Sequence, residues 1–343
     1  MKNIIPIFVI GILIIGGLGA VATVEKKLYV SPISDELDQF QTEMTENIVT
    51  IIGQIPIDEN LTNVQVAQSF VPTKEIITRV ELYIAKNITT SYPINISIRK
   101  ELTEEDLTVE SVDAAIVPDE EFEWVEIDIP DIVITTGQTY YLVALTENIT
   151  DNFYGWAANN DSESYQSGCA WFSYDDGDSW TNESSISSSH NPESYYNNYE
   201  VTKMDEYVTW DTCFKTYGRN SSPPEAPIIN GPSSARYNES QSYLFTTTDP
   251  DGDDLFYQIL WGDGTSEEWI GPFHSDEIIT VNHTWKEQGT YVIAARSKDI
   301  YGFVGDWTEF EVEIPRNSRF IFSIFYRFLA RFSMLERLLN LIN

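Results

Sequence analysis

Between residues 60 and 315 the apolar positions recur at every second residue, in short runs separated by turn residues. Val80, Leu82 and Ile84 form one such run, Ile94, Ile96 and Ile98 a second, and Val125, Ile127 and Ile129 a third. Pro118-Asp119 and Thr136-Gly137 punctuate them. A period of two places alternate side chains on opposite faces of a strand, so these runs predict half-buried strands and an all-β sandwich or barrel. The first such body is expected over 38–218. Asn220-Ser221-Ser222-Pro223-Pro224-Glu225-Ala226-Pro227 can continue neither a ladder nor a helix, so 219–227 is a linker. A second β module of Ig size is expected over 228–315.

Both ends depart from this period. After Lys2, the uncharged run from Ile4 to Val21 leads to Ala20-Val21-Ala22, which fits a signal-peptidase site. The run is also just long enough to span a bilayer. Residues 1–24 are therefore a cleaved signal peptide or an uncleaved signal anchor, with 25–37 as a linker. Either reading places the chain from residue 25 onward outside the cytoplasm, at the cell surface. At the other end, 316–343 predicts an amphipathic helix. Arg319, Arg327, Arg331 and Arg337 gather on one face; Ile321, Phe325, Phe328, Phe332, Leu335, Leu339 and Ile342 lie on the other. Three occupants fit that helix: a membrane surface or surface-layer component, the acidic body of the same chain, or a second copy.

Charge sharpens the contrast between body and tail. The chain has 54 acids against 20 bases, a formal charge of −34. Residues 25–315 carry 53 of the acids and 14 of the bases, whereas 316–343 hold five Arg and one Glu. A body so acidic cannot displace counterions from phosphates, which excludes nucleic acid as a partner. Nine N-x-S/T triplets, at Asn60, Asn87, Asn95, Asn148, Asn160, Asn182, Asn220, Asn238 and Asn282, suit a glycosylated exported protein. Cys169 and Cys213, an even pair in such a chain, are expected to form a disulfide.

Several motifs of the second module occur together and in order. Asp249-Pro250-Asp251-Gly252-Asp253, Trp261-Gly262-Asp263-Gly264, His283-Thr284-Trp285, Gly289-Thr290-Tyr291 and Lys298-Asp299 resemble the turns and strands of a PKD domain, an Ig-like sandwich. The Trp-Gly-Asp-Gly turn is shorter than the common Trp-Asp-Phe-Gly-Asp-Gly form and resembles versions in archaeal surface proteins. The resemblance implies extracellular spacing and interaction rather than catalysis. The first body is similar to the jelly-roll-like sandwiches that precede cell-surface anchors. The similarity rests on Ala67-Gln68-Ser69-Phe70-Val71-Pro72, Thr78-Arg79-Val80-Glu81-Leu82-Tyr83 and Gly137-Gln138-Thr139-Tyr140-Tyr141-Leu142. Such sandwiches resemble carbohydrate-binding modules in outline, which establishes no ligand.

Candidate chemistry is sparse. Asp249, Asp251, Asp253 and Asp263, with Asp254 beside them, make an oxygen-rich cluster that suits calcium or a solvated turn. Ser173-x-Asp175-x-Gly177-x-x-Trp180 fits an Asp-box, which occurs once and reads as a hairpin turn. Trp156, Trp171, Trp180 and Trp210 lie in an aromatic-dense stretch and could form a glycan-stacking platform, although aromatics also fill sandwich cores. The polar interval Ser184–Asn198 reads as a long surface loop. No nucleophile elbow, zinc-binding helix or phosphate loop is present. The expectation is a non-catalytic surface protein for adhesion or glycan recognition, meeting a glycan or protein ligand. The alternative is a structural envelope protein without a ligand. A carbohydrate-active enzyme is a third option, since it needs only two carboxylates.

Overall fold

The computed structural model describes residues 35–45, 49–54, 63–159, 165–182, 210–315 and 327–328. The apolar N-terminal segment, the Ser184–Asn198 loop, Asn60, Asn160, Arg319, Arg331 and Arg337 lie outside them. Arg327 and Phe328 are helical and exposed. Among the described residues no helix is long and apolar enough to cross a membrane.

The described residues are all-β, with the strands divided among four separate sheets rather than closed into a barrel. The first sandwich comprises β1 (Glu36–Gln41), β2 (Val49–Gly53), β3 (Gln65–Phe70), β4 (Ile76–Lys86), β5 (Ile94–Arg99) and β6 (Thr108–Val112). It continues through β7 (Glu123–Val133), β8 (Tyr140–Thr146), β9 (Phe153–Asn159), β10 (Ala170–Ser173), β11 (Asp211–Thr212) and β12 (Phe214–Arg219). One sheet runs β1-β12-β4-β9-β11, with β7 on β4 and β2 on β9; the facing sheet runs β10-β3-β8-β5-β6. All pairings between these strands are antiparallel.

The three alternating runs supply the inward faces of β4, β5 and β7, and all nine residues are buried in one core. Each such aliphatic side chain contributes roughly 1.5–3 kcal/mol on burial. The sheets are also joined by polar contacts. Gln68 on β3 accepts from Thr212 N and Oγ1 at 2.7 and 3.0 Å, and donates to Asp211 Oδ1 at 3.2 Å, tying β3 to β11 across the sandwich.

The second sandwich holds β13 (Ile228–Asn230), β14 (Gln241–Thr246), β15 (Leu255–Leu260), β16 (Ser266–Phe273), β17 (Ile279–His283), β18 (Gly289–Asp299) and β19 (Thr308–Ile314). Its sheets run β13-β14-β17 and β16-β15-β18-β19. Aromatic rings fill its core: Trp285 meets Tyr243 and Trp261 edge-on at 5.7 and 6.1 Å. The Trp261-to-Gly264 turn needs its glycines. Gly262 has φ +77°, and a Cβ there would lie 2.7 Å from Val292 O. Both sandwiches fall within one compact unit.

Candidate functional site

A polar constellation lies where the two sandwiches meet. Strand β12 ends at Arg219, whose guanidinium reaches Asp253 of the second sandwich at 3.1 Å and packs over the Tyr301 ring, 4.9 Å from its centroid. Ser221 donates its N–H to Glu75 Oε2 (3.2 Å) in the first sandwich and its hydroxyl to Asp299 Oδ2 (2.9 Å) in the second. Ser222 N–H donates to Asp251 Oδ2 at 2.5 Å. The Tyr301 hydroxyl crosses back to Asp131 Oδ2 at 2.7 Å. Farther along, Glu225 pairs with the backbone of Thr248, and Pro224 O leaves no room for a Cβ at Gly305.

The acids of this junction are fixed by local backbone. The turn after β14 folds so that Asp249 Oδ1 accepts from Asp251 N at 2.9 Å and Asp253 N at 3.2 Å. Carboxylate oxygens of Asp249, Asp251 and Asp253 lie within 4.8 Å of one another. Burial and the neighbouring carboxylates push the Asp249 carboxyl up to about 6, against the two backbone donors. Burial also raises Asp253, with Arg219 opposing and Asp299 and Asp251 reinforcing.

Of the four expected cation ligands, the structure brings these three together and leaves out the fourth. Asp263 accepts from Thr265 N and Oγ1 and pairs with His283 Nε2 at 2.8 Å, while the His283 ring stacks on Trp261 at 4.5 Å. Asp263 therefore serves its own turn.

Two other expectations are corrected. The four tryptophans share no surface. Trp156 (0% exposed) and Trp210 (7%) belong to the core, with Trp156 Nε1 donating to Cys213 O. Trp171 and Trp180 are half-buried with Tyr141 over Ala67 and Val143, on a separate cluster. Trp180 closes the Asp-box hairpin by donating to Gly177 O, while Asp175 accepts from Ser179 N and Oγ. The cysteines are free thiols. Cys169 is tied to Ser69 of β3, whereas Cys213 packs beside Ala85, Phe122 and Ala157 in a cluster on the other sheet, and the two are not bonded to each other. Of the described sequons, Asn148, Asn220, Asn238 and Asn282 are exposed; Asn87, Asn95 and Asn182 are half-buried.

Sequence reasoning missed the clamp itself and one further surface. On the outer face of β18, Arg296 lies 4.6 Å from the Trp307 ring centroid, and Lys298 Nζ lies 4.5 Å from that of Trp269. Among the described residues, neither cation has a carboxylate within ion-pairing distance. Alternation along β18 would have placed Arg296 and Lys298 on one face; the tryptophans come from other segments and are not visible that way.

No protein-family model and no curated protein matches the chain. Among solved structures, the PKD domain of an M14-like peptidase from a Thermoplasmatales archaeon is 44% identical, covering 28% of this chain and 99% of that one, at TM-score 0.28. A CARDB domain from Pyrococcus furiosus is 18% identical, covering 26% of this chain and 92% of that one, at TM-score 0.21. The glycoside hydrolase domain of Endo-D from Streptococcus pneumoniae is 10% identical, covering 77% of this chain and 32% of that one, at TM-score 0.24. That likeness bears on no activity. The structural neighbours of this chain thus include a PKD domain and a CARDB domain, both Ig-like β-sandwiches.

Proposed function

We propose that the chain is a non-catalytic, exported cell-surface protein in which the second sandwich is a stiff spacer that presents the first for adhesion. The observation that carries this reading is the clamp at 219–222, where Arg219, Ser221 and Ser222 together are bonded into both sandwiches. A flexible tether would leave such residues solvated; a spacer that sets orientation needs them fixed. The test is attachment of cells that lack the chain, complemented with wild type or with Arg219→Ala/Tyr301→Phe. Wild type is expected to restore attachment and the unclamped variant to restore less. Equal attachment with and without the chain defeats the reading.

The cation–aromatic face of β18 favours glycan recognition as a second reading. Trp307 is 42% exposed, and Arg296 and Lys298, without carboxylate partners among the described residues, stand out on a strongly acidic body. Aromatic faces stack on pyranose rings while cations take carboxylates, the chemistry of a uronate-bearing polysaccharide. On a polysaccharide array the full chain is expected to bind such glycans and Trp307→Ala to bind at least tenfold less. A blank array removes this reading and leaves the structural spacer.

A further inference from the structure

The junction holds more negative charge than its cation balances. Asp249, Asp251 and Asp253 converge, and fully buried Asp299 lies close enough to oppose ionisation of Asp253; Arg219 is the cation that pairs there. Asp249 is 2% exposed, and its Oδ2 is buried with no hydrogen-bond partner among the described residues, although its Oδ1 holds two backbone N–H groups. A desolvated carboxylate oxygen without a donor is costly to maintain. The cost vanishes when a cation sits against it. An all-carboxylate donor set selects a hard ion. Calcium accepts six to eight oxygens in irregular geometry, so three carboxylates supplemented by water suffice; magnesium requires a regular octahedron.

We propose that Asp249, Asp251 and Asp253 hold a calcium ion, and that the ion stiffens the linker because Asp251 is also the acceptor of the Ser222 N–H. The binding site rests on the junction geometry alone, while the stiffening deepens the spacer reading. A bound ion fixes Asp251, and Asp251 fixes the first residue past the Ser221 bridge. Asp253, shared between the ion and Arg219, couples the same event to the end of β12. Without the ion, mutual repulsion among the carboxylates loosens both contacts.

The test titrates the chelator-stripped full chain with calcium chloride by calorimetry. Its thermal midpoint and hydrogen exchange over 219–227 are read with and without the ion. One calcium per chain is expected, with a midpoint rise of roughly 5 °C or more at a hundredfold excess over Kd and slower exchange at Ser222. Asp249→Asn keeps an acceptor for the two backbone donors but removes the orphan carboxylate oxygen. It is expected to weaken calcium binding at least tenfold, with a midpoint in chelator no lower than that of wild type. Asp263→Asn, changed outside the cluster, keeps the affinity. No binding at millimolar calcium overturns the site, and binding that leaves exchange at 219–227 unchanged overturns the stiffening. A chain that binds no calcium yet keeps 219–227 protected in chelator overturns this inference while leaving the spacer reading intact.

Discussion

Glu81 shows how single residues of the first sandwich manage an acidic chain. On the outer face of β4 it accepts from Lys215 Nζ at 2.6 Å and the Tyr217 hydroxyl at 2.8 Å, and pairs with Arg79 at 3.2 Å. Arg79 in turn stacks on Tyr217, and Lys215 on Trp124. Burial pushes the Glu81 carboxyl up, but the bonds from Lys215 and Tyr217 and the two cationic charges outweigh it and hold the group below its ordinary value. A carboxyl with a depressed folded-state pKa contributes stability above its unfolded value, 4.5, and loses it as pH falls through the folded one. Glu81→Gln should therefore cost about 1 kcal/mol at pH 7 and flatten the acid limb of a stability–pH curve. Identical acid limbs in wild type and variant would count against the assignment. Residue roles of this kind were only partly legible. An even pair of cysteines in an exported chain suggests a bond, yet Cys169 sits against Ser69 of β3 while Cys213 packs against the other sheet. Burial pushes the Cys213 thiol up to about 12, which suits packing rather than reactivity.

At the scale of elements, what the sequence revealed depended on whether a strand has one wet face. β7 alternates between buried and exposed positions, so its apolar period was readable. β3 and β9 are buried along their whole length, which erases the alternation. In β9 both faces are covered, by the inter-sheet core on one side and by the Val49, Ala85 and Phe122 cluster on the other. That is why Trp156 could be read as a surface platform. In β3 the buried Gln65, Gln68 and Ser69 look like solvent positions until their partners arrive from distant segments. The linker shows the opposite case. Its serines and prolines announce the absence of a ladder; β12 runs to Arg219, one residue into the expected 219–227 segment, and residues 220–227 carry no strand before β13. Composition cannot announce that Asp251, Asp299 and Glu75 would hold it in place.

For the whole molecule, the division into acidic body and basic tail was evident from charge alone, and the all-β character from period and punctuation. The fixation of the two sandwiches was not, because it depends on Glu75 and Asp131 of the first and Asp251, Asp253, Asp299 and Tyr301 of the second meeting along Arg219 to Ser222. Phe328, on the expected apolar face of the tail, is 57% exposed. The length of the linker adds a consequence of its own. Residues 220–227 span the gap between β12 and β13, and eight extended residues reach at most about 28 Å. Releasing the clamp therefore cannot let the sandwiches drift far apart; it can only let them swivel. In Arg219→Ala/Tyr301→Phe, the maximum dimension in solution scattering should change little while residual dipolar couplings report a wider spread of inter-sandwich angles. A large increase in maximum dimension would contradict this. The junction then works as a compass rather than a leash: it sets the bearing of the first sandwich, and the short chain beneath it sets the distance.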